Sequence, residues 1–490
     1  MEESATQPIE IEFKRLVYEA VREGLQRLKL IISDGGYIGT YFDWPQISTL
    51  PGCGLPSFYE SDFSGPVDYK MAFQGSKPLV PPDELGSFKN LVHFIKTNED
   101  ILFRFFPKGM VKRIEGDSEF KHIIDRMIYS FAEELIDRYI HIGNTCEFYE
   151  FIADDIYKNY ARSIFQDELF VDVYVPILFL KFSFDEIKLA PNIKIQKMDQ
   201  EFQLARAKIK SYNRGVHDSV LSAATHALVL KNWRINNQNR LSLSDLFSDF
   251  NIYANLNMEI EDFFAALRII TGAYTGYAQI LISPRGWALH YKANLVPLEG
   301  TSINAYPKWF ENYYWLNEEL QELNEDIITE ISMIFLTLNN NEQNSIHIAA
   351  NRLNLCFLRD DEDDIVLDAA IGLDALLLSE NERSETTHKL AMRAGALAKI
   401  SKWDSKSPYD VFKEVKGIYD YRSKIVHGSK NASKKREITS KDKERIPAPQ
   451  LAVKYLRAVL LVLINNPKYL NPIKIDSELL LGSCSQDRDI

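Results

Sequence analysis

The chain has 490 residues and a formal net charge of −12, which counts against a protein that coats nucleic acid through a general basic surface. Hydrophobic residues account for 46% and charged residues for 26%, the balance of a folded soluble protein and not of a fibrous or disordered one. The length predicts about three modules, and the first residues contain neither a secretory signal nor a transmembrane run.

Cysteine usage indicates a reducing compartment. The four cysteines lie far apart, without CxxC or other metal-ligand spacing, at Cys53, Cys146, Cys356 and Cys484. Reduced thiols are typical of cytosolic proteins, and the apolar run at 456–464 is too short to span a bilayer. We therefore expect a cytoplasmic protein that has no membrane contact and holds neither a metal nor another cofactor.

Residues 1–165 are predicted to form a mainly helical N-terminal region. A first apolar stripe begins at Ile9, and helical spacing returns at 88–106 and 119–142. Residues 37–82 are dense in glycine, proline and aromatic residues and have no helical period. This stretch is predicted to be a long loop or a set of short strands.

Residues 166–300 are predicted to form a central α+β domain with a small sheet. Strand-like alternation or short apolar runs occur in LFVDVYVPILFLKF, FDEIKLA, IKIQKM and THALVLKNWRI. Helices are expected at 201–210 and 258–270. The segments YAQILIS and WALHYK, separated by a Pro-Arg-Gly turn, indicate a hairpin.

Residues 301–490 are predicted to be a helical C-terminal region. Apolar spacing predicts six helices in succession, at 309–338, 345–357, 364–378, 387–400, 410–422 and 451–464. The whole chain is therefore expected to be an α+β protein that is mainly α. It would combine a helical N-terminal region, a small-sheet centre and a C-terminal helical bundle.

The stretch with the clearest chemistry is YDYRSKIVHG, residues 419–428, at the end of the fifth of these helices. Arg422 presents a planar fork of donors suited to phosphate, and His427 is the side chain best suited to proton transfer near neutral pH. RNA supplies its own nucleophile, the 2'-hydroxyl, so this pair nearly suffices for cleavage without a metal. A structural interpretation stays open, in which Arg422 pairs with a carboxylate such as Asp420 and His427 ends a helix before Gly428.

The spacing of Arg422 and His427 predicts either a helix break or a partner chain. Five residues correspond to about 140° of rotation on an ideal helix, so the two side chains do not share a face of a continuous helix. Either the helix breaks near Ser423, or two copies of the chain bring two arginines and two histidines to one phosphate across a dimer axis.

The one clearly basic window of the chain begins inside the same motif. From 424 to 445, eight basic and three acidic side chains give a net charge of +5. A solvated loop is one interpretation, and the position beside a phosphate site favours RNA binding instead. The candidate RNA-binding residues are Lys424, Lys430, Lys434, Lys435 and Arg436.

An ordered set of motifs resembles the Apea-like branch of the HEPN superfamily. The set comprises Arg359 followed by an acidic run, then GLDALL, an acidic turn, KLAMRA and finally RSKIVHG. Upstream, FDEIKLAPNIKIQKMDQEFQLAR and EDFFAALRIITGAYTGYAQI are similar to the region that precedes this domain in such proteins. The resemblance covers about residues 170–430, and residues 1–165 match no family that we can name.

The resemblance implies a helical-bundle domain that binds or cleaves RNA, often as a metal-independent dimer in toxin-antitoxin or anti-phage systems. Arg422 and His427 carry over as the catalytic pair, with Ser423 at a position where serine is usual in this branch. Asp374 would orient Arg422 or His427, and Arg393 would be a second phosphate ligand. For both of these residues a core salt bridge is the alternative.

The sequence therefore predicts a metal-independent endoribonuclease of abortive anti-phage defence, with tRNA among its candidate substrates. The expected products carry a 2',3'-cyclic phosphate and a 5'-hydroxyl. We expect a homodimer whose N-terminal part senses a phage-derived trigger. The alternative is a non-catalytic HEPN module that dimerises and binds RNA or a nucleotide.

Overall fold

A computed structural model of the chain describes residues 8–42, 44–61, 65–106, 118–209, 216–237, 250–312, 319–340, 343–379, 382, 385–401, 403, 406–428, 436–440 and 444–482. Helices dominate this part of the chain, and its strands form one six-stranded sheet and three two-stranded pairs. The expected class, α+β and mainly α, is confirmed.

The N-terminal helices pack around a hydrophobic core of their own. They are α1 (Pro8–Ser33), α2 (Gly86–Thr97), α3 (Glu99–Phe105), α4 (Ser118–Gly143) and α5 (Glu150–Phe165). The buried ring of Phe13 lies against four aromatic rings, those of Phe105, Phe131, Tyr157 and Phe165. Between α1 and α2, the strands β1 (Trp44–Thr49) and β2 (Pro56–Ser61) form an antiparallel hairpin. Short strands are therefore the correct alternative there.

The central sheet is antiparallel throughout. Its strands are β3 (Glu168–Pro176), β5 (Glu186–Ala190), β6 (Ile193–Lys197), β7 (His226–Asn236), β8 (Tyr277–Pro284) and β9 (Glu299–Ala305), in the spatial order β5-β6-β7-β3-β8-β9. The short strands β4 (Lys181–Phe182) and β10 (Glu322–Leu323) pair in parallel outside it, and helices α6 (Gln200–Ala207) and α7 (Asp218–Ser222) precede β7. Burial alternates along β3, as expected when one face packs on a core.

The hairpin predicted from YAQILIS and WALHYK is wrong in its second strand. Strand β8 pairs with β9, and residues 287–292 form no strand. Trp287 Nε1 donates to Phe170 O at 2.7 Å, while Ala288 and Tyr291 belong to the core of the N-terminal helices. These contacts hold the segment against the N-terminal region and away from the edge of the sheet.

Helix α8 and six later helices build the C-terminal part. Their bounds are α8 (Phe250–Thr271), α9 (Glu325–Asn339), α10 (Asn344–Leu358), α11 (Glu362–Leu377), α12 (Thr386–Leu397), α13 (Pro408–Val426) and α14 (Ala448–Asn465). The single helix predicted at 309–338 is wrong for the described residues 319–324, because α9 begins only at Glu325, where the Asn324 side chain caps it by accepting from Ile327 N. Residues 313–318 of that prediction lie outside the described residues. A π-helical turn, Ile475–Leu480, follows α14.

One continuous hydrophobic core joins the sheet to the C-terminal helices. Val175 on β3, Phe263 on α8, Leu373 on α11 and Val459 on α14 are all fully buried members of it. Burial on this scale removes apolar surface from water along most of each element. The helix that carries the candidate site is thus packed into the largest structural unit of the described chain.

Helix α14 meets the length and composition of a membrane span, yet 61% of it is buried inside the protein. A helix that is apolar on most sides is typical of the core of a large protein or of a membrane span. The described cysteines are all free thiols: Cys53, Cys146 and Cys356.

Candidate functional site

Helix α13 carries the candidate residues and is firmly fixed at its start. The hydroxyl of Ser407 accepts from Asp410 N at 3.2 Å, and Asp410 Oδ2 accepts from Ser407 N at 3.3 Å. This capping box, with Pro408 at the first helical position, satisfies free backbone donors. Val411 and Val415 then face the core and are fully buried.

A buried carboxylate ties α13 to α14. Glu414 is 2% exposed and accepts hydrogen bonds from Lys406 Nζ and Tyr455 OH, each at 2.5 Å. A carboxylate out of water is tolerated only where such donors surround it. The axis of α13 is therefore set by specific polar contacts as well as by apolar packing.

Two tyrosines hold the other end of α13 against α11. Tyr419 OH lies 2.7 Å from Asp374 Oδ1 and 3.0 Å from Ala370 O, and Tyr421 OH donates to Asp363 Oδ1 at 2.5 Å. Burial and the adjacent carboxylate raise the pKa of both phenols, that of Tyr421 to about 12. Both hydroxyls therefore stay protonated as donors at neutral pH.

The guanidinium of Arg422 is only partly engaged. Its side chain is 38% exposed, and Nη2 lies 3.9 Å from Asp374 Oδ2, too far for a direct hydrogen bond. Its Nε is buried without a hydrogen-bond partner in the described part of the chain. Burial raises the pKa of the Asp374 carboxyl, while the Tyr419 hydrogen bond and the charge of Arg422 oppose this rise. Asp374 thus faces Arg422 without a direct hydrogen bond, and its orienting role stays a prediction.

His427 lies at the end of the same helix, and its side chain is exposed to solvent. It is the C-cap residue, and its backbone N–H donates to Ser423 O at 3.1 Å. The predicted break near Ser423 is wrong, because α13 runs on through Val426. Gly428 follows with φ of +59°, the left-handed conformation that commonly stops a helix. On this unbroken helix Arg422 and His427 of one chain therefore point in different directions.

Arg393 forms a core salt bridge, which was the alternative to its predicted role as a phosphate ligand. It is 2% exposed and donates to Glu382 at 2.7 and 2.8 Å, to Asp476 at 2.9 and 2.6 Å, and to Leu377 O at 2.7 Å. With these bonds the guanidinium joins α11, α12 and the π-helical turn. Its hydrogen bonds lower the pKa of Glu382 to about 2.

This ion pair makes a prediction about acid stability. The folded-state pKa of Glu382, about 2, lies below its ordinary value of 4.5, so its stabilising effect is complete above about pH 4.5 and is lost as the pH falls toward 2. We expect the difference in unfolding free energy between the parent and Glu382→Gln to be constant near neutrality and to shrink below about pH 4. Urea unfolding at several pH values measures it, and a difference that does not change with pH contradicts the ion pair.

The basic window contributes less to the described site than its charge suggests. Lys424, two residues after Arg422, is half-buried, and Arg436 Nε donates to Glu362 Oε2 at 2.6 Å. Arg436 is thus neutralised by the acidic first turn of α11, although its side chain remains 51% exposed. The other three candidates lie outside the described residues: Lys430, Lys434 and Lys435.

Sequence reasoning missed two residues that position the site. Tyr421 and Glu362 connect the motif and its basic window to the start of α11, across 58 and 74 residues of chain. The only local signal was the run of acidic residues at 361–364, which equally suits a helix N-terminus. Nothing in the sequence around Tyr421 distinguished a positioning role from ordinary burial.

Comparison with known proteins identifies no family for this chain. A scan against family models, a search of curated proteins and a search of solved structures each give no match to this chain. Among the described residues, no group of three or more His, Cys, Asp and Glu side chains is placed to hold a metal ion. The fold defines the class, an α+β protein that is mainly helical, and the site is characterised by its own geometry.

Proposed function

We propose that the chain is a metal-independent endoribonuclease of the HEPN type, acting in the cytoplasm as an effector of abortive anti-phage defence. One observation carries this proposal: Arg422 has a half-exposed guanidinium whose Nε has no hydrogen-bond partner among the described residues, and the exposed His427 lies five residues further along, at the end of the same helix. An arginine held in place by neighbours but not neutralised by them is suited to phosphate.

The chemistry divides between the two side chains. His427 handles the proton of the attacking 2'-hydroxyl or of the leaving 5'-oxygen, and Arg422 stabilises the charge that develops on the phosphoryl oxygens. The bond from phosphorus to the 5'-oxygen breaks as the bond to the 2'-oxygen forms. The products are a 2',3'-cyclic phosphate and a 5'-hydroxyl.

A second copy of the chain completes the site in this proposal. Helix α13 is unbroken up to Val426, and five residues of an ideal helix correspond to about 140° of rotation, so in this proposal Arg422 of one chain and His427 of the other contact the phosphate. Val426, next to His427, is 59% exposed and offers apolar surface for contact between copies. A two-fold axis near this helix end would place the histidine of each copy near the arginine of the other.

A cleavage assay tests the function directly. The purified full chain is incubated with total RNA and with tRNA, with and without EDTA, and the RNA ends are sequenced. We expect cleavage that EDTA does not reduce, with 2',3'-cyclic phosphate and 5'-hydroxyl ends. Ends carrying a 5'-phosphate, or loss of cleavage in EDTA, would refute this mechanism.

The second candidate is a non-catalytic module that dimerises and binds RNA or a nucleotide. The divergent directions of Arg422 and His427 in one chain favour it, because a binding surface does not require the two to converge. RNA that is bound but stays intact, with the same affinity after His427→Ala, would select this alternative. Residues 1–165 would recognise a phage-derived trigger in either case.

Complementation between two inactive variants tests the shared site. A mixture of Arg422→Ala and His427→Ala proteins forms heterodimers with one intact pair, an arginine from one chain and a histidine from the other. If about half of the dimers are mixed and each keeps one of the two arginine–histidine pairs, roughly a quarter of the parental cleavage returns. A mixture of Arg422→Ala with the double variant is the matched control and stays inactive. Heterodimers that form without activity would contradict a site shared between chains.

A further inference from the structure

A cavity of about 660 Å³ lies between the N-terminal helices and the edge of the central sheet. Glu134 on α4 borders it on one side, and Lys208, just after α6, and Gly300 on β9 border it on another. The segment 290–298 forms much of the remaining wall. Its volume falls within the range of cavities that hold small organic ligands, and it is remote in the chain from helix α13.

Contacts within the chain hold the wall of this cavity in place. Arg138 Nη1 donates to Ala293 O at 2.8 Å and to Leu295 O at 3.0 Å, and its guanidinium lies 4.7 Å from the ring centroid of Tyr291. Tyr160 OH donates to Glu134 Oε2 at 2.7 Å. The loop therefore has a fixed shape, and a ligand would pay little ordering entropy on entering.

Positive side chains converge on the cavity from three separate parts of the chain. Lys70, Lys208 and Lys292 all line it, and His290, which also lines it, lies with Nδ1 3.4 Å from Glu134 Oε2. The side chain of Lys208 is only 13% exposed, and its Nζ lies 3.9 Å from Glu60 Oε1. Ammonium groups gathered in this way favour an anion, and lysine is a common phosphate ligand.

The other residues that line the cavity indicate which chemical groups the ligand carries besides the anion. Leu295, Val296 and Pro297 provide an apolar wall, and Glu134 and Glu299 provide acceptors for hydroxyl or amino groups. Burial raises the pKa of the Glu299 carboxyl, which His290 and Lys292 oppose. A simple inorganic anion would leave the apolar wall and these two carboxyl groups unused.

We propose that this cavity binds a small organic phosphate of nucleotide size, with Lys70, Lys208 and Lys292 on the phosphate and the apolar wall beside the organic part. This inference goes beyond RNA cleavage and does not depend on it. Because the cavity is bounded by both the N-terminal helices and the sheet, its ligand contacts both. It is a place where binding of a metabolite stabilises one arrangement of the two units.

Calorimetric titration of the full chain tests the proposal. The probes are ATP, GTP, CTP and UTP, with adenosine and inorganic pyrophosphate as partial ligands. We expect at least one triphosphate to bind, adenosine to bind at least about tenfold more weakly, and Lys292→Glu to weaken the binding by roughly 10- to 100-fold. Lys292 is exposed, so this charge reversal is compatible with folding, which circular dichroism checks. Lys188→Glu, at an exposed lysine on β5, is the matched control and keeps parental affinity.

Four results would overturn the inference. The first is that no triphosphate binds. The second is that Lys188→Glu weakens binding as much as Lys292→Glu does, which would indicate a general charge effect. Pyrophosphate binds as tightly as the best triphosphate, which would leave an anion site without an organic subsite. Finally, Arg422→Ala abolishes binding while Lys292→Glu retains it, which would place the nucleotide at the end of α13. Failure of RNA cleavage changes none of these readouts, so the two proposals fail separately.

Discussion

Replacing His427 with alanine is expected to lower RNA cleavage by about 100- to 10,000-fold while leaving the fold intact. The imidazole is exposed at the C-terminal end of α13, so its removal creates no cavity and breaks no core contact. The loss would be in the chemical step, because proton transfer to or from the reacting oxygens would then depend on water. Single-turnover cleavage of a labelled RNA, with the enzyme in excess, measures this step apart from binding.

The control for this experiment is His93→Ala. His93 is also an exposed helical histidine, on α2, and its variant should cleave RNA at the parental rate. RNA affinity, measured by filter binding, should change little in either variant, since His427 acts on the reaction and not on the backbone charge. Parental cleavage by His427→Ala would remove the histidine from the mechanism and leave the binding module as the better account.

Replacing Arg393 with alanine is expected to destabilise the protein by about 3 kcal/mol without acting on cleavage itself. The guanidinium is buried and joins Glu382, Asp476 and Leu377 O. Its loss leaves two carboxylates and a carbonyl facing a void, although Glu382 and Asp476, at 19% and 36% exposed, recover some hydration. Urea unfolding measures the change, and cleavage per folded molecule should stay at the parental level.

Lys389→Ala is the matched control for the Arg393 variant. Lys389 lies on the same helix and faces the same carboxylate, with Nζ 3.5 Å from Glu382 Oε1, but it is 36% exposed. Its removal should cost at most about 1 kcal/mol, as for other solvent-exposed pairs. If Arg393→Ala unfolds like the parent and yet cleaves poorly, Arg393 belongs to the phosphate site and its structural role is wrong.

The elements that the sequence predicted well are those with a strong internal period. Helices α11 to α14 follow apolar spacing, and their predicted positions agree within a few residues with the observed ones. The strand β9, with the sequence EGTSINA, has no apolar alternation to reveal it. Its Gly300 lies so close to β8 that a Cβ atom there would be 2.5 Å from Ile280 O. Strands β8 and β9 can therefore pair at this position only because glycine has no side chain. The aromatic WALHYK had the better strand pattern, but tertiary contacts of Trp287 and Tyr291 decided its position.

The sequence predicted where the candidate site lies in the chain, but it predicted the geometry of that site only in part. YDYRSKIVHG falls at a helix end, as expected, but local sequence did not reveal that α13 continues through Ser423. The contacts that fix it join residues far apart in the chain, such as Tyr421 with Asp363 and Arg393 with Asp476. Periodicity is a local signal and carries no information on such pairs.

The shared core of sheet and helices also has a consequence during synthesis on the ribosome. Helix α14 packs against α11 and α13 at the centre of that core, and Asp476 completes the bonds of Arg393. Both are translated after the motif at 419–428. A nascent chain that has already exposed Arg422 and His427 therefore still lacks the elements that hold α13 in place. In the growing chain the candidate site is therefore assembled late, after most of the protein has been synthesised.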